Sequence, residues 1–392
     1  MSPLLLNPAV LLAASSDGYL AYHVDSNRMY RLNPTAALLV ELCDGTRTRD
    51  ELLGAVAPML PADGAAACSA WLDEAVQEDL LTDGGTTPVR QPFSAGELHT
   101  RAKRLRDQGR VLAAYICQRA ATDLAPEEAN QWYALGELAH IVGRREEARS
   151  AYERYFQSHP EDVEIQHLLV ALRDESPPPR APDDYIEQLY SYFARFYDEN
   201  MRGDLDFKAP DLLNAAFNTA LPGRGNLNVL ELGCGTGLFG QLLRPRARRL
   251  TGIDLSSAMI ERARRRGIYD RLETAEITAW LDREPAEHFD VIAACDTLIY
   301  FGDLRQVLSR AASHLARGGF VGFTVERADS FPFRLTDSGR FAHHRDHLLL
   351  VAQEAGMQLV SQTAEVLRHE YGEPVWGWVT ILRLADAGGL SD

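Results

Sequence analysis

The sequence is short of lysine, of paired cysteines and of long apolar runs. Among its 40 Lys and Arg residues, only Lys103 and Lys208 are lysines, and the formal net charge is −16 at pH 7. That charge argues against nucleic-acid partners, which are bound largely through clustered cations. No apolar run approaches the ~18 residues that would cross a bilayer, so we expect no membrane partner. The chain of 392 residues has room for two or three domains of ~100–200 residues each.

The cysteines are too few and too scattered for a disulfide framework or a zinc site. No C-x-x-C pair or ligand-like spacing occurs among Cys43, Cys68, Cys117, Cys234 and Cys295. Such a set predicts reduced thiols, a cytoplasmic location and no metal. The apolar segment 3–14 follows no Lys or Arg and is interrupted by Asn7-Pro8, so we do not expect a signal peptide.

Residues 1–88 have the pattern of a small α/β unit. The segments "DGYLAYHV" (17–24) and "NRMYRL" (27–32) alternate apolar residues on either side of a short turn, which predicts a hairpin. Asn33 is placed to cap a first helix. Thr48 and Glu51 have the spacing of a capping box and open a second helix, and a third should follow in 65–81.

This pattern resembles the PqqD-like domain, which binds leader peptides in ribosomal peptide biosynthesis. The resemblance is carried by Asp17-Gly18, Tyr30, Leu32-Asn33, Thr35-Ala36 and Cys43-Asp44-Gly45-Thr46. It implies a small α+β, winged-helix-like domain with a three-stranded sheet packed on three helices. It also implies a precursor peptide as partner, with other peptide-modifying enzymes as further candidates.

In that family the leader adds a strand to the third β-strand and lies against the third helix. Main-chain hydrogen bonds at a sheet edge supply affinity in this mode, and side-chain pockets supply specificity. The resemblance therefore points to Arg28, Met29, Tyr30 and Arg31 on the strand, and to Trp71, Leu72 and Val76 on the helix. A purely structural role in the domain core is an equal alternative for Trp71 and Val76.

Residues 89–175 contain a repeat. Gly109 and Gly143, Ala114 and Ala148, and Pro126 and Pro160 are each 34 residues apart, the period of the tetratricopeptide helical hairpin. The pattern resembles that repeat, and it predicts a helical module that acts as a spacer or docking surface. Peptide contact is the alternative. The proline-rich stretch "ESPPPRAPDD" (175–184) is predicted to be a linker.

Residues 184–385 alternate strand and helix patterns, which predicts an α/β domain with a mostly parallel sheet. The last two strands, 358–367 and 377–384, have no helix between them and should be antiparallel. The first strand ends in "ELGCGTG" (231–237), whose glycines permit close approach to a ligand. Asp254 ends the second strand, 21 residues after Gly233, where a carboxylate can bind both hydroxyls of a ribose.

The G-x-G-x-G spacing resembles motif I of class I S-adenosylmethionine-dependent methyltransferases, which implies a Rossmann-like fold. The segments that resemble the tetratricopeptide-containing subgroup are "DTLIYFGDL" (296–304), "TVE" (324–326), "RLTDSGRFAHH" (334–344) and "GEPVWGW" (372–378). The resemblance implies S-adenosyl-L-methionine as cofactor, with S-adenosyl-L-homocysteine as its product. The cofactor residues it implies are Glu231, Gly233, Cys234, Gly235, Gly237, Asp254, Leu255, Glu276, Ile277, Asp296 and Tyr197.

Glu276 stands where many members have Asp. Tyr197, with Asp198, belongs to "FARFYD" (193–198), which resembles a segment of the family's N-terminal lid helix.

Methyl transfer from a sulfonium needs a base only when the acceptor starts protonated. The candidates are His343, His344, Tyr300 and Glu326, and an acceptor carboxylate would need none. The sequence thus predicts a methyltransferase that tailors a ribosomally made peptide, on oxygen in preference to sulfur or nitrogen. The alternatives are a methyltransferase for small molecules or whole proteins, and a non-catalytic adaptor.

Overall fold

The computed structural model describes residues 2–61, 64–83, 93–194, 197–202, 205–283, 287–370 and 372–385. The chain divides into two compact units, Met1–His159 and Pro160–Asp392. The predicted limit between the first two segments, at 88/89, lies outside the described residues. The three predicted domain ranges stay a prediction.

The first 83 residues contain two small sheets and three helices. The strands are β1 (Pro3–Leu6), β2 (Val10–Ser15), β3 (Gly18–His23), β4 (Arg28–Leu32), β5 (Asp44–Thr48) and β6 (Leu81–Asp83). The helices are α1 (Pro34–Leu42), α2 (Arg49–Val56) and α3 (Gly64–Gln77), with a 3₁₀ turn at Ala57–Met59.

The predicted hairpin and helix caps are present. Strands β2, β3 and β4 form an antiparallel sheet in that order, and β4 is its edge among the described residues. The Asn33 side chain accepts a hydrogen bond from Ala36 N at 2.9 Å, and Glu51 accepts one from Thr48 N at 2.8 Å. The second sheet, β5-β1-β6, was not predicted.

Four helices complete the first unit: α4 (Ala95–Asp107), α5 (Val111–Leu124), α6 (Ala129–Ile141) and α7 (Arg145–Phe156). Gly109 and Gly143 occupy equivalent turns, with φ of 73° and 76°, so the 34-residue period of the sequence recurs in the backbone. An added Cβ at Gly136 would lie 2.5 Å from the Tyr152 ring, so glycine is required where α6 and α7 meet. Assignment to the tetratricopeptide family stays a prediction.

The second unit is an α/β domain. Its strands are β7 (Leu227–Leu232), β8 (Ala247–Asp254), β9 (Arg271–Thr274), β10 (Phe289–Ala294), β11 (Leu315–Arg327), β12 (Phe333–Leu335), β13 (Phe341–His343), β14 (Met357–Glu370) and β15 (Glu373–Leu384). Its helices are α8 (Val163–Leu172), α9 (Asp183–Phe193), α10 (Tyr197–Arg202), α11 (Ala209–Ala220), α12 (Gly240–Leu243), α13 (Ser257–Arg266), α14 (Ile277–Leu281), α15 (Arg305–Ser313) and α16 (Arg345–Glu354). Two 3₁₀ turns lie at Arg244–Arg246 and Leu298–Tyr300.

The central sheet runs in the order β9-β8-β7-β10-β11-β15-β14. Strands β7 to β11 are parallel, and β15 is antiparallel to both β11 and β14. The predicted Rossmann-like α/β fold and the antiparallel final pair are confirmed. The small strands β12 and β13, which extend the sheet beside the end of β11, were not predicted.

The strand order places a crevice at the end of β7. From β7 the chain proceeds to β8 and β9 on one side and then crosses to β10 on the other. At such a switch point the loops after neighbouring strands diverge, and ligands bind outside the carboxyl ends of the strands. All six residues of β7 are buried, as expected for a central parallel strand covered on both faces.

Candidate active site

A cleft of about 630 Å³, partly open to solvent, lies at this switch point. The lining residues come from the ends of β7, β8 and β10, from α9, α10, α13 and α14, and from the segments next to them. They are Arg180, Asp183, Ile186, Tyr190, Tyr197, Gly233, Gly235, Asp254, Leu255, Met259, Glu276, Ile277, Cys295, Asp296, Thr297, Tyr300 and Phe301.

The glycine loop, residues 233–237, contributes Gly233 and Gly235 to the lining of the cleft. Gly233 has φ of 64°, and a Cβ there would overlap the Thr297 side chain. Gly235 has φ of 53°, and a Cβ there would meet no atom within 4 Å. The first glycine is therefore required by packing, while the second exposes its backbone to the open space of the cleft.

Asp254 is fixed by the loop that it faces. Its Oδ2 accepts a hydrogen bond from Gly235 N and its Oδ1 accepts one from Ser256 N, both at 2.8 Å. Burial raises the pKa of Asp254 to about 6, although the two backbone hydrogen bonds act to lower it. A carboxylate held this way keeps lone pairs for a diol in the cleft.

The side of the cleft beside Asp254 is largely apolar. Leu255, Met259 and Ile277 line it. Glu276 also lines it, but its carboxylate caps α14 by accepting from Thr278 N at 2.9 Å and Ala279 N at 2.7 Å. Glu276 therefore shapes the wall in addition to facing the ligand space.

Three tyrosines enclose the opposite end of the cleft, next to Asp296. Tyr190 and Tyr300 share a hydrogen bond of 2.7 Å between their hydroxyls. The ring of Tyr190 lies 6.1 Å from that of Tyr197 and 5.8 Å from that of Tyr300. Burial raises the pKa of all three phenols well above the usual value, so they are neutral near pH 7.

Helix α10 contacts the glycine loop through side-chain hydrogen bonds. Asp198 accepts a hydrogen bond from Thr236 Oγ1 at 2.5 Å and pairs with Arg266. The adjacent Tyr197 lines the cleft, and its role as a lid contact stays a prediction. Residues 195–196 of the same predicted segment lie outside the described residues.

Three residues expected at the cofactor lie behind the loop instead. Glu231 accepts a hydrogen bond from Tyr269 Oη at 2.7 Å, and burial raises its pKa to about 8. Cys234 packs in a buried cluster with Ile260. An added Cβ at Gly237 would lie 3.0 Å from the Tyr269 ring. None of the three lines the cleft.

Of the predicted base candidates, only Tyr300 lines the cleft. His343 Nε2 donates to Gly302 O at 3.0 Å, and burial lowers the pKa of this histidine to about 4. His344 caps α16 through Nδ1, which accepts from Asp346 N at 3.2 Å. These two histidines therefore have structural contacts of their own.

Glu326, the remaining candidate, accepts a hydrogen bond from Arg340 Nε at 2.7 Å and also pairs with Arg368. The sequence did not identify this pair of arginines, nor the cleft residues Arg180, Tyr190 and Thr297. The "DTLIYF" segment contained Thr297, but Arg180 and Tyr190 precede the first strand and had no recognisable motif.

The predicted leader contacts occupy β4 and α3 of the first unit. Tyr30 Oη donates to Glu78 at 3.1 Å, and Arg28 pairs with the same carboxylate. Leu72 is fully buried and belongs to the core. The side chains open to a partner are Arg31 and Val76, both exposed, and Met29 and Trp71, both half-buried.

The contacts in the cleft fit S-adenosylmethionine. The open backbone at Gly235, the fixed carboxylate of Asp254 and the apolar wall of Leu255 and Ile277 suit a nucleoside. Asp296 and the neutral tyrosines suit the sulfonium and the amino-acid end. The described residues contain no His, Cys, Asp or Glu cluster that could hold a metal ion, and none of their helices is long and apolar enough to cross a membrane.

Comparison with known proteins identifies both kinds of domain. Residues 230–321 match the family described as a methyltransferase domain, and residues 18–81 match coenzyme PQQ synthesis protein D (PqqD). Malonyl-[acyl-carrier protein] O-methyltransferase of Salmonella typhimurium is 30% identical over 161 residues, or 41% of this chain and 63% of the relative. Trans-aconitate 2-methyltransferase of Paracidovorax citrulli is 33% identical over 135 residues, or 34% of this chain and 48% of the relative.

Among solved structures, N-methyltransferase NodS from Bradyrhizobium japonicum WM9, in complex with S-adenosyl-L-homocysteine, is 22% identical with a TM-score of 0.37. The match covers 45% of this chain and 86% of that one. The chain spans less than two thirds of the length of the two curated relatives above. The second unit thus carries a match to a methyltransferase domain, and a PqqD match precedes it in the chain.

Proposed function

We propose that this chain is an S-adenosylmethionine-dependent methyltransferase that modifies a ribosomally synthesised peptide, recruited through its leader by the N-terminal domain. The observation that carries the enzymatic half is the cleft in which Gly235 N binds Asp254 beside open space. The peptide half rests on the free edge of β4 and the match of residues 18–81 to PqqD. We expect the enzyme to work in the cytoplasm, where such peptides are made.

The bound cofactor supplies an activated methyl group on a sulfonium, and the acceptor takes it by in-line displacement. The residues of the chain bind the cofactor and orient it. Asp254 accepts from the ribose hydroxyls, Leu255 and Ile277 flank the base, and Asp296 lies at the amino-acid end. The tyrosines exclude water from the methyl group, and such alignment and exclusion can supply ~7–11 kcal/mol of barrier lowering.

The chemistry of the cleft favours an acceptor that needs no base. The tyrosines are neutral, and Asp296 is paired with Arg368. The described lining residues at the end enclosed by the tyrosines therefore offer no ready proton acceptor. A carboxylate acceptor meets this condition, and the relative named malonyl-[acyl-carrier protein] O-methyltransferase supports oxygen. Sulfur and nitrogen acceptors stay open to the test.

The sheet of the first unit offers one edge to a leader. Arg144, the residue before α7, donates to Ala14 O on β2 and contacts that edge. Among the described residues, β4 pairs only with β3 and leaves its other edge open. Val76 on α3 is 41% exposed. An added strand along β4 would thus have backbone partners and an apolar contact, as in β-augmentation.

The test uses the short peptide encoded nearest this gene, incubated with S-adenosylmethionine and either the full chain or the chain lacking residues 1–88. Mass spectrometry should show one added methyl with the full chain and much less with the truncated one. Equal methylation by both would reject leader guidance. No methylation, with cofactor bound in calorimetry, would favour a small molecule or whole protein as acceptor, and absence of cofactor binding would favour a non-catalytic adaptor.

A further inference from the structure

Five charged side chains form a buried cluster beside the cleft, beyond Asp296. They come from separate segments that meet at the carboxyl edge of the sheet: Asp296 after β10, Glu326 in β11, Arg340 before β13, and Arg368 and Glu370 in β14. The side chain of Arg368 is 3% exposed, and those of Asp296 and Glu326 are 9% exposed. Because burial of ion pairs seldom increases stability, this cluster calls for a role in the site.

Arg368 is the centre of the cluster. Its Nη1 donates to both carboxylate oxygens of Asp296 at 2.9 and 3.0 Å. Its Nε donates to Glu370 at 2.7 Å, and its Nη2 donates to Glu326. Of these three acids, Asp296 lines the cleft. All three guanidinium nitrogens of Arg368 are thus committed, and it meets the cleft through Asp296.

Asp296 has a backbone conformation that requires support. Its φ of 52° lies in the left-handed region, which residues other than glycine rarely adopt. Its N donates to Thr324 Oγ1 at 2.8 Å, and its carboxylate is held by Arg368. Unusual backbone geometry of this kind concentrates at functional sites, where neighbouring contacts maintain it.

We propose that Arg368 is a positioning residue of the methyltransferase cleft, which holds the Asp296 carboxylate ionised and aimed at the amino-acid end of the cofactor. Arg340 and the two glutamates in turn fix Arg368. This inference rests on the proposed function. It adds to the site a residue from β14, a strand far in sequence from the glycine loop.

The charged and titratable groups around Asp296 determine its behaviour with pH. Burial raises its pKa, Arg368 and Arg340 oppose that effect, and Glu326 and Glu370 add to it. The other groups that face it are Tyr190, Tyr197, Tyr300 and Cys295, all kept neutral by burial. Removal of the Arg368 charge therefore raises the pKa of Asp296 further.

The test measures S-adenosylhomocysteine affinity of the full chain by calorimetry from pH 6 to 9, for the wild type and for Arg368→Gln. We expect the variant to bind at least tenfold more weakly at pH 6 than at pH 9, because affinity falls about tenfold per pH unit below the pKa of a required carboxylate. The wild type should change much less. Arg368→Lys keeps the positive charge but loses the planar set of guanidinium donors. Its pH profile should therefore resemble that of the wild type more than that of Arg368→Gln.

Two comparisons separate positioning from simple destabilisation. Arg340→Gln removes pairs with Glu326 and Glu370 but leaves the Arg368–Asp296 contact, so it should lower the melting temperature with a smaller shift in pH profile. A profile of Arg368→Gln that runs parallel to that of the wild type would overturn the inference. Failure of the wild type to bind the ligand at any pH would instead reject the proposed function.

Discussion

Glu231 and Asp254 lie at the ends of neighbouring strands, yet only Asp254 reaches the cleft. Its two oxygens accept from Gly235 N and Ser256 N, whereas Glu231 turns to Tyr269 beneath the loop. Burial raises the pKa of each carboxyl. The two carboxyl groups thus have different expected roles, ligand binding for Asp254 and support of the loop for Glu231.

We expect Asp254→Asn to weaken S-adenosylhomocysteine binding about 10- to 100-fold. The amide turns an N–H towards one of the two backbone N–H groups and removes a charge-assisted acceptor, a loss of about 1.5–3 kcal/mol. Calorimetric titration at pH 7.5 measures the change. Asp290→Asn is the matched control, since Asp290 also accepts from a backbone N–H, that of Asn228 at 2.8 Å, but does not line the cleft. Equal affinity of Asp254→Asn and the wild type would contradict this role.

Glu231→Gln should stabilise the ligand-free protein as the pH rises. The pKa of Glu231 is about 8 in the folded state against an ordinary 4.5. The wild type has the full stability of the neutral form below pH 4.5 and loses it progressively up to about pH 8. Glutamine cannot ionise and can still accept from Tyr269.

The unfolding free energy of Glu231→Gln relative to the wild type should therefore increase by up to about 3 kcal/mol between pH 5.5 and 8.5. Urea denaturation at the two pH values measures it. A difference between the proteins that is the same at both pH values would refute the assignment of the raised pKa.

At the scale of elements, the sequence predicted what depends on neighbours along the chain. The Asn33 cap, the Thr48–Glu51 capping pair and the turn after β7 are local arrangements, and each is present. Strand β1 was missed because its partner β6 lies more than 70 residues away and three or four residues are too short to establish a period.

The site residues also differ in whether they could be predicted from neighbours along the chain. Gly233, Gly235 and Asp254 follow strands and were predictable from spacing. Tyr190 and Arg368 reach the site only through tertiary packing, and neither belongs to a motif. His343 was a reasonable base from its residue type, but its burial and its bond to Gly302 O become visible only in the folded chain.

We expect Val76→Asp on α3 to reduce leader affinity at least tenfold with little effect on folding. Val76 is 41% exposed, so its replacement costs little packing, while a carboxylate there must be desolvated when a leader covers it. Binding is measured by fluorescence anisotropy with the N-terminal part of the short peptide encoded nearest this gene. Leu124→Asp, at a 53% exposed position on α5 of the same unit, is the matched control. Equal affinities of the two variants would place the leader elsewhere.

At the scale of the whole molecule, a PqqD match precedes a methyltransferase-domain match in the chain, with helices α4 to α7 between them. Under the proposed function, this arrangement makes the acceptor part of a captured peptide an intramolecular substrate. Tethering gives an effective concentration of about 1 mM for short flexible connections. The cleft then needs little affinity of its own for the acceptor.

Separating the leader from the acceptor part of the peptide should therefore reduce kcat/KM by about 10²–10⁴-fold, chiefly through KM, because the tether is lost while the chemistry is unchanged. Free leader added to the intact peptide should inhibit by competition, and the Val76→Asp variant should lose both effects. If free leader instead activated methylation of the separated acceptor, the N-terminal domain would act as an allosteric switch. Insensitivity to the leader in both assays would leave a methyltransferase whose acceptor is recognised at the cleft alone.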